Sequence, residues 1–304
     1  MNHFSYISIF FAICISTAVL GQRNNYCFYD QVAIEKYQAD KLDDAILYID
    51  SAISLCPSIA ADPYSYKVQA QILKANFKKT GNPQLRERAI VAYATLKKLD
   101  TTNIHTKHTN TNLKYLAATF QKEAADNLDT INYHVAYLKY MQYMSVLENN
   151  IENYNNEQDL ILFYDIYANI QNELYKNDNS RLQNLDSAVY YYEAVLAIDS
   201  MDFDANNNLG IIYHNYALDI VFNQPDDIEM LELMILQDEV IEYCLKSIPY
   251  LKRANKSKPD NYMTVRGLAQ AFTQLYEHDQ AEPYISKMKE LSPNDSERKE
   301  PNDN

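Results

Sequence analysis

The sequence lacks tryptophan and has very little glycine or proline. Its 304 residues include 4 Gly and 9 Pro. β-Sandwiches, β-barrels and nucleotide-binding α/β folds need glycine at many of their turns, so this composition disfavours those classes. The scarcity of both residues instead predicts long helices with few interruptions.

Basic residues are also scarce relative to acidic ones. The chain has 27 Lys and Arg against 41 Asp and Glu, which gives a net charge of -14. Such a chain repels the phosphates of nucleic acids and of anionic membrane surfaces. We therefore expect a protein or peptide partner, no nucleic acid ligand and no membrane insertion of the mature chain.

The common catalytic motifs are missing as well. The sequence has no glycine-rich phosphate loop, no Gly-x-Ser-x-Gly elbow, no His-Glu-x-x-His and no Cys-x-x-Cys. His105 and His108 could share a metal in principle, but Lys107 lies between them and no nearby Cys or carboxylate completes a site. We expect no enzyme activity, no bound metal and no cofactor.

An apolar run from Ile7 to Leu20, followed by Gly21, is typical of a secretory signal. The run is too short to span a bilayer, although Lys and Arg are absent before it. We predict that residues 1–21 form a signal peptide, with cleavage leaving Gln22 first. The mature protein is then expected in the periplasm or outside the cell.

Export would leave Cys27, Cys56 and Cys244 where disulfides persist. Cys27 and Cys56 lie almost symmetrically about a predicted turn near Lys41. A disulfide needs Cα atoms within roughly 7 Å, whereas helix axes pack about 8–10 Å apart. The sequence therefore leaves this bridge open, and Cys244 is interpreted as a buried thiol.

The chain contains recurring pairs of helical patterns. The clearest first-helix residues are Tyr29, Val32 and Ala33, then Leu209, Gly210 and Tyr213, then Val265, Leu268, Ala269 and Phe272. The clearest second-helix residues are Ala45, Ile49 and Ala52, then Ala188, Tyr192 and Val195, then Ala281, Ile285 and Met288. Small residues at these spacings indicate helix pairs that cross closely.

This order of residues resembles the tetratricopeptide repeat family, whose unit of about 34 residues is two antiparallel helices. The resemblance implies an all-α, right-handed superhelical solenoid of about six helix pairs. We assign the units near residues 26–59, 62–103, 110–149, 157–202, 203–261 and 262–295. The middle units match less well, and extra residues around Thr80-Gly81-Asn82-Pro83 are expected to widen a turn.

The fifth unit departs most from the pattern. Its second-helix signature comes late, so residues 223–242 are interpreted as an insertion that lengthens a helix or adds one, starting near Pro225. Residues 296–304 are polar and are expected to form a disordered tail.

The resemblance also implies a concave groove that holds a partner. If Leu209, Gly210 and Tyr213 face the partner helix, their neighbours on the other side line this groove. The predicted groove residues are Asn207, Asn208, Ile211, His214, Asn215, Arg266, Gln270, Thr273 and Gln274. An Asn-rich run without function is the alternative interpretation of Asn206-Asn207-Asn208.

The first hypothesis for function is therefore an exported scaffold that binds a protein or peptide without catalysis. A second is a helical-repeat enzyme or carbohydrate-handling protein, with Asp202 and Asp204 lining an acidic cleft. A third is a structural homodimer sealed through residues 223–242. A cleft with two facing buried carboxylates would favour the second.

Overall fold

The computed structural model describes residues 26–178, 180–222 and 227–292. The predicted signal peptide and the predicted tail lie outside these residues. The helices are α1 (Tyr29–Gln38), α2 (Leu42–Leu55), α3 (Pro57–Ala60), α4 (Pro63–Thr80), α5 (Pro83–Leu99), α6 (Thr106–Ala125), α7 (Tyr133–Asn150), α8 (Glu157–Asn177), α9 (Leu182–Ile198), α10 (Phe203–Phe222), α11 (Met230–Ser257), α12 (Tyr262–Gln274) and α13 (His278–Leu291), with a 3-10 turn at Tyr26–Phe28. Within the described residues the predicted all-α class, built from antiparallel helix pairs, is confirmed.

The chain forms two compact units. Unit 1 contains the described residues up to 126 together with 138–154, and unit 2 contains 127–137 and the described residues from 155 onwards. Helix α7 is thus divided after Tyr137. No helix among the described residues combines the length and hydropathy needed to cross a bilayer.

The turn at Thr80-Gly81-Asn82-Pro83 is tight, contrary to the expected widening. Helix α4 continues to Thr80, and α5 begins at Pro83 after Asn82 accepts a hydrogen bond from the Gln84 backbone N–H. Gly81 has φ 70°, the left-handed conformation that ends a helix with least strain in glycine. The extra residues therefore lengthen the two helices and leave the turn short.

The predicted insertion lengthens a helix. Glu229 precedes the first turn of α11, which then continues for 28 residues without a break. The apolar residues 230–235 therefore belong to the same helix as the late second-helix signature around Ile248 and Leu251. The predicted start at Pro225 lies outside the described residues.

The first helix pair is joined by a disulfide. Cys27 and Cys56 are bonded, with their Cα atoms 5.3 Å apart. Cys56 comes directly after α2 and Cys27 lies in the 3-10 turn before α1, so the bridge holds the two ends of the pair together. Cys244 is a buried free thiol, and burial raises its pKa to about 11.

A close approach between α10 and α11 in unit 2 depends on Gly210. A Cβ on Gly210 would lie 2.6 Å from the Cγ of Leu251 and 2.8 Å from its Cδ2. A Cβ on Gly267 of α12 would lie 2.9 Å from the Cδ1 of the same leucine. Leu251 of α11 therefore fits between two helices whose glycines leave room for its side chain.

We expect Gly210→Ala to destabilise the protein by about 1–3 kcal/mol, because the added methyl group overpacks this contact. Helix propensity alone predicts the opposite sign, a gain of about 1 kcal/mol. Urea unfolding of the variant and the parent measures the difference. A more stable variant would contradict the close approach of α10 and α11.

Candidate protein-binding surfaces

The three consecutive asparagines of α10 bond to different helices of unit 2. Asn206 is fully buried, accepts a hydrogen bond from Arg253 Nε of α11 at 2.8 Å, and donates to the backbone oxygens of Ser200 and Asp202. Buried amides with satisfied partners fix the register of neighbouring helices. Asn206 therefore has a structural role, in which it connects α10 to α11.

Asn207 and Asn208 continue this network. Asn207 is buried and accepts a hydrogen bond from Thr264 Oγ1 of α12 at 2.7 Å. Asn208 donates to Tyr192 Oη of α9 at 3.2 Å and to Asn169 Oδ1 of α8 at 3.3 Å. The prediction that Asn207 lines an open groove is wrong, because its side chain is buried against α12; Asn208 is half-buried, and its place in a groove stays a prediction.

Ile211 and His214 were also predicted to face the groove. Ile211 packs against the core formed by α11, α12 and α13, and His214 is buried. Burial lowers the pKa of His214, while a hydrogen bond with Asn215 raises it and the charge of Arg266 lowers it further. His214 is therefore not exposed in an open groove as predicted, whereas Ile211 is half-buried.

The remaining predicted groove residues stay at the surface. Asn215, Arg266 and Thr273 are exposed, and Gln270 and Gln274 are half-buried. Thr273 Oγ1 donates to the backbone oxygen of Ala269 in its own helix. Asn215 lines a cavity of about 360 Å³ with residues of α8 and α9, and the other four residues do not line this cavity.

His108, which is not expected to bind a metal, lies beside polar side chains of the protein. His108 Nε2 lies 3.2 Å from Asn112 Nδ2 and 3.4 Å from Gln71 Nε2. Burial and the charges of nearby Lys67, Lys74 and His105 lower the His108 pKa. Among the described residues, no three His, Cys, Asp or Glu side chains are grouped in a way that could hold a metal ion.

An acidic cluster lies in unit 2 at the start of α10. Asp165 of α8 is half-buried, and its Oδ1 has no hydrogen-bond partner. Burial, together with the charges of Asp202 and Asp204, raises the pKa of Asp165 to about 7. Asp202 and Asp204, named in the enzyme hypothesis, are thus neighbours of a carboxyl group that holds its proton near neutral pH.

We expect Asp165→Asn to stabilise the protein at pH 8 and to have little effect at pH 3. The raised pKa means that the folded state binds this proton more tightly than the unfolded state. The stability it contributes is present below about pH 4 and is lost as pH rises through about 7. The gain at pH 8 is about 1–2 kcal/mol once solvent screening of a half-buried carboxylate is allowed for. Urea unfolding at both pH values measures it, and an equal difference at the two would contradict this environment.

An open, mostly apolar groove lies in unit 1, between the second helices of two successive pairs. It is a cavity of about 580 Å³ between α5 and α7, with Phe120 of α6 at its floor. Val91 and Leu138 on its rim are 64% and 63% exposed. We call this the apolar groove, and its lining residues are Glu87, Ile90, Val91, Phe120, Leu138, Met141, Gln142, Ser145 and Val146.

A buried arginine, paired with a partly exposed glutamate, supports the floor of the apolar groove. Arg86 of α5 is 1% exposed and donates to Glu123 of α6 at 2.5 and 3.3 Å. Lys139 of α7 lies 2.9 Å from the same carboxylate, and the Arg86 guanidinium lies 3.6 Å from the Phe120 ring centroid. The charges therefore connect the three helices that form the groove.

The carboxylate at the centre of this network stays ionised. Burial raises the Glu123 pKa, but hydrogen bonds and charges from Arg86 and Lys139 outweigh it and hold the pKa below its usual value. A buried cation with this carboxylate and an aromatic face as partners is stable only while those partners remain.

A second apolar surface is the exposed N-terminal part of α11. Met230, Leu231, Met234 and Ile235 are exposed there, roughly one to three turns before the first buried residue of the helix, Val240. Large exposed apolar patches mark interaction surfaces. Homodimer formation through this segment stays a prediction, to be checked by sedimentation of the parent and a Met234→Glu variant; equal monomer masses would contradict it.

The apolar groove was not among the predicted site residues, whereas the exposed apolar residues of α11 lie within residues 223–242, the segment of the homodimer hypothesis. The only sequence signal was apolar residues at outward-facing positions, such as Val91 beside Ile90 and Leu231 beside Met230. In a helix pair, such residues look like additional core until the neighbouring helices are placed.

Comparisons with known proteins give limited information. No protein-family model matches the chain, and no curated protein matches it. Among solved structures, PilF of Pseudomonas aeruginosa is similar over 90% of this chain and 96% of its own, at 12% identity and a TM-score of 0.35. The human IFIT1 dimer with m7Gppp-AAAA is similar over 88% of this chain and 61% of its own, at 14% identity and a TM-score of 0.33. Likenesses this weak carry no argument about function.

Proposed function

We propose that this protein is a non-catalytic scaffold of the tetratricopeptide type that binds a partner protein through the apolar groove. The single observation that supports the proposal is that groove: about 580 Å³, open to solvent, with Val91, Leu138 and Met141 exposed along it. Burying such side chains against a partner is favourable by about 25 cal/mol per Å² of apolar surface.

The chemistry of the groove favours a protein segment as its ligand. Its lining is mostly aliphatic and aromatic, with Glu87 as its charged member. A ligand that fills it needs apolar side chains, as an amphipathic helix laid between two helices presents them. The net charge of -14 favours a protein over a nucleic acid in this role.

We also propose that the protein is exported and acts in the periplasm or outside the cell. The apolar run between Ile7 and Leu20 supports export, and the Cys27–Cys56 disulfide suits an oxidising compartment. Expression with and without residues 1–21, followed by fractionation, tests this. Equal retention of both forms in the cytoplasm would contradict it.

The binding proposal is tested by retention of a partner on immobilised protein. The chain from Gln22, the Leu138→Glu variant and the Leu47→Glu variant are compared with one envelope extract. Leu47 of α2 is a matched control, because it is 64% exposed and lies outside the groove. We expect the parent and Leu47→Glu to retain the same protein and Leu138→Glu to lose it. Equal retention by all three would contradict the proposal.

The enzyme hypothesis keeps one supporting observation, the Asp165 carboxyl group with its pKa raised to about 7 by burial beside Asp202 and Asp204. A general acid needs such a pKa, but also a second carboxylate at a defined distance across a substrate. A glycan hydrolysis screen of the parent and Asp165→Asn tests this alternative. Activity lost in the variant would favour it over the scaffold.

A further inference from the structure

A groove of different chemistry lies in unit 2 between α9 and α11. Two cavities of about 370 and 440 Å³ share Glu193 as a lining residue and follow the two helices. We call the first of them the tyrosine pocket. Its polar and aromatic lining residues are Asp186, Tyr190, Glu193, Tyr213, Tyr216, Tyr243 and Lys246.

Three tyrosine rings of this pocket lie close together, and one of them already has a cation beside it. The Tyr216 and Tyr243 ring centroids are 4.5 Å apart, and those of Tyr213 and Tyr243 are 6.2 Å apart. Aromatic faces carry partial negative charge and attract ammonium and guanidinium groups. Lys246 Nζ already lies 4.9 Å from the Tyr243 centroid, so the chain itself places a cation on one of these rings.

The pocket also carries negative charge on two acidic side chains of α9. Asp186 and Glu193 lie two turns apart on α9, about 10 Å along its axis, and both are exposed. Neither makes an ion pair within the part of the chain that the structure describes. Lys246 on the opposite wall pairs instead with Glu242 of its own helix, at 2.6 Å.

The second cavity continues the groove past the pocket. It is lined by Glu193, Leu196, Ala197, Ser200, Tyr250 and Arg253. Arg253 is already engaged, since its Nε donates to Asn206 and its guanidinium lies 4.7 Å from the Tyr250 centroid. A ligand in the pocket therefore has room to extend along α9 and α11, as a peptide does and a small free cation does not.

We propose that the tyrosine pocket binds an arginine or lysine side chain carried by a segment of a partner protein. The cation stacks on the tyrosine rings and pairs with Asp186 and Glu193, and the rest of the segment lies along the second cavity. The inference rests on the proposed function in that the ligand is a protein. It adds a second site, in the other unit, with its own ligand chemistry.

The test uses a defined peptide as its probe. Acetyl-Ala-Leu-Arg-Leu-Ala-amide is compared with the same peptide carrying citrulline, which keeps the shape of arginine and removes its charge. Calorimetry gives the affinities, and NMR shifts of tyrosine ring protons locate the binding. We expect the arginine peptide to bind about tenfold more tightly than the citrulline peptide and to shift tyrosine ring signals. Equal affinities would overturn the proposal.

Matched variants separate the pocket from general electrostatics. Asp186→Asn with Glu193→Gln removes both charges at constant size, and Glu282→Gln removes one exposed charge of α13 outside the pocket. The double variant is expected to lose about tenfold in arginine-peptide affinity, and Glu282→Gln to match the parent. Equal losses in the two variants would overturn the pocket assignment.

Failure of this inference is distinguishable from failure of the proposed function. Leu138→Glu changes the apolar groove of unit 1 and is expected to leave peptide binding unchanged. Retention of a partner by the apolar groove with no peptide binding in unit 2 would reject the tyrosine pocket alone.

Discussion

Glu123→Ala is expected to lower the free energy of unfolding by about 2–3 kcal/mol, less than for a fully buried pair because the Glu123 side chain is 39% exposed. The substitution leaves Arg86, which is 1% exposed, without its carboxylate partner. Thr119 and the Phe120 ring remain as contacts, but neither neutralises the charge. Most of the loss is therefore the cost of an unpaired buried cation, measured by urea unfolding at pH 7.

The matched control removes both charges together. Arg86→Met with Glu123→Leu replaces the pair by apolar groups of similar size, which is often close to neutral in other buried pairs. We expect this double variant to recover most of the stability lost in Glu123→Ala. A Glu123→Ala variant as stable as the parent would contradict the buried pair.

The same variants connect stability to binding. Because Arg86 and Lys139 both lie against Phe120, loss of Glu123 is expected to disturb the floor of the apolar groove. Partner retention should fall in Glu123→Ala and recover in the double variant. Unchanged retention in Glu123→Ala would separate the ion pair from the groove.

Reduction of the Cys27–Cys56 disulfide is expected to destabilise the first helix pair by about 3–4 kcal/mol. The bridge closes a loop with a sequence separation of 29, and chain entropy for that loop corresponds to about 3.6 kcal/mol. The stability of helix α1 depends strongly on the disulfide, because Ala33 is the one buried residue of this helix. Amide hydrogen exchange of α1 should accelerate by roughly two to three orders of magnitude on reduction.

Two comparisons make this result specific. Amides of α5 should exchange at the same rate before and after reduction, since α5 is far from the bridge in sequence and has its own buried residues. A Cys27→Ala, Cys56→Ala variant should exchange rapidly in α1 with or without reductant. Slow exchange of α1 in that variant would contradict the role of the disulfide.

The helix pairs were predictable because their periodicity is local. Gly210 with Leu209 and Tyr213, and the small residues Ala188 and Ala281, indicate close helix crossings from the sequence alone, and these residues are buried in the structure apart from the half-buried Tyr213. The lengths of turns were less predictable. The residues around Gly81 are compatible either with a longer turn or with longer helices. In the structure the helices are longer, as helix propensity favours.

The binding surface was not predictable in the same way. A helical pattern reveals which face of a helix is apolar, but not which neighbouring helix covers the opposite face. Asn207, Asn208 and His214 were assigned to solvent on this ground, whereas α8, α9 and α12 lie close enough to bury or bond them. Exposed apolar residues such as Val91 lead to the opposite error, because the sequence pattern makes a surface residue look like a core residue.

The central claim is that the apolar groove holds a partner protein. It is tested most directly by placing the photo-crosslinking residue p-benzoylphenylalanine at position 91 or at position 47 and irradiating cells that express each form. Val91 and Leu47 are equally exposed, at 64%, but only Val91 lines the groove. The account predicts a discrete adduct with one protein at position 91, absent at position 47 and abolished by Leu138→Glu. No adduct at either position, or the same adduct at both, would contradict it.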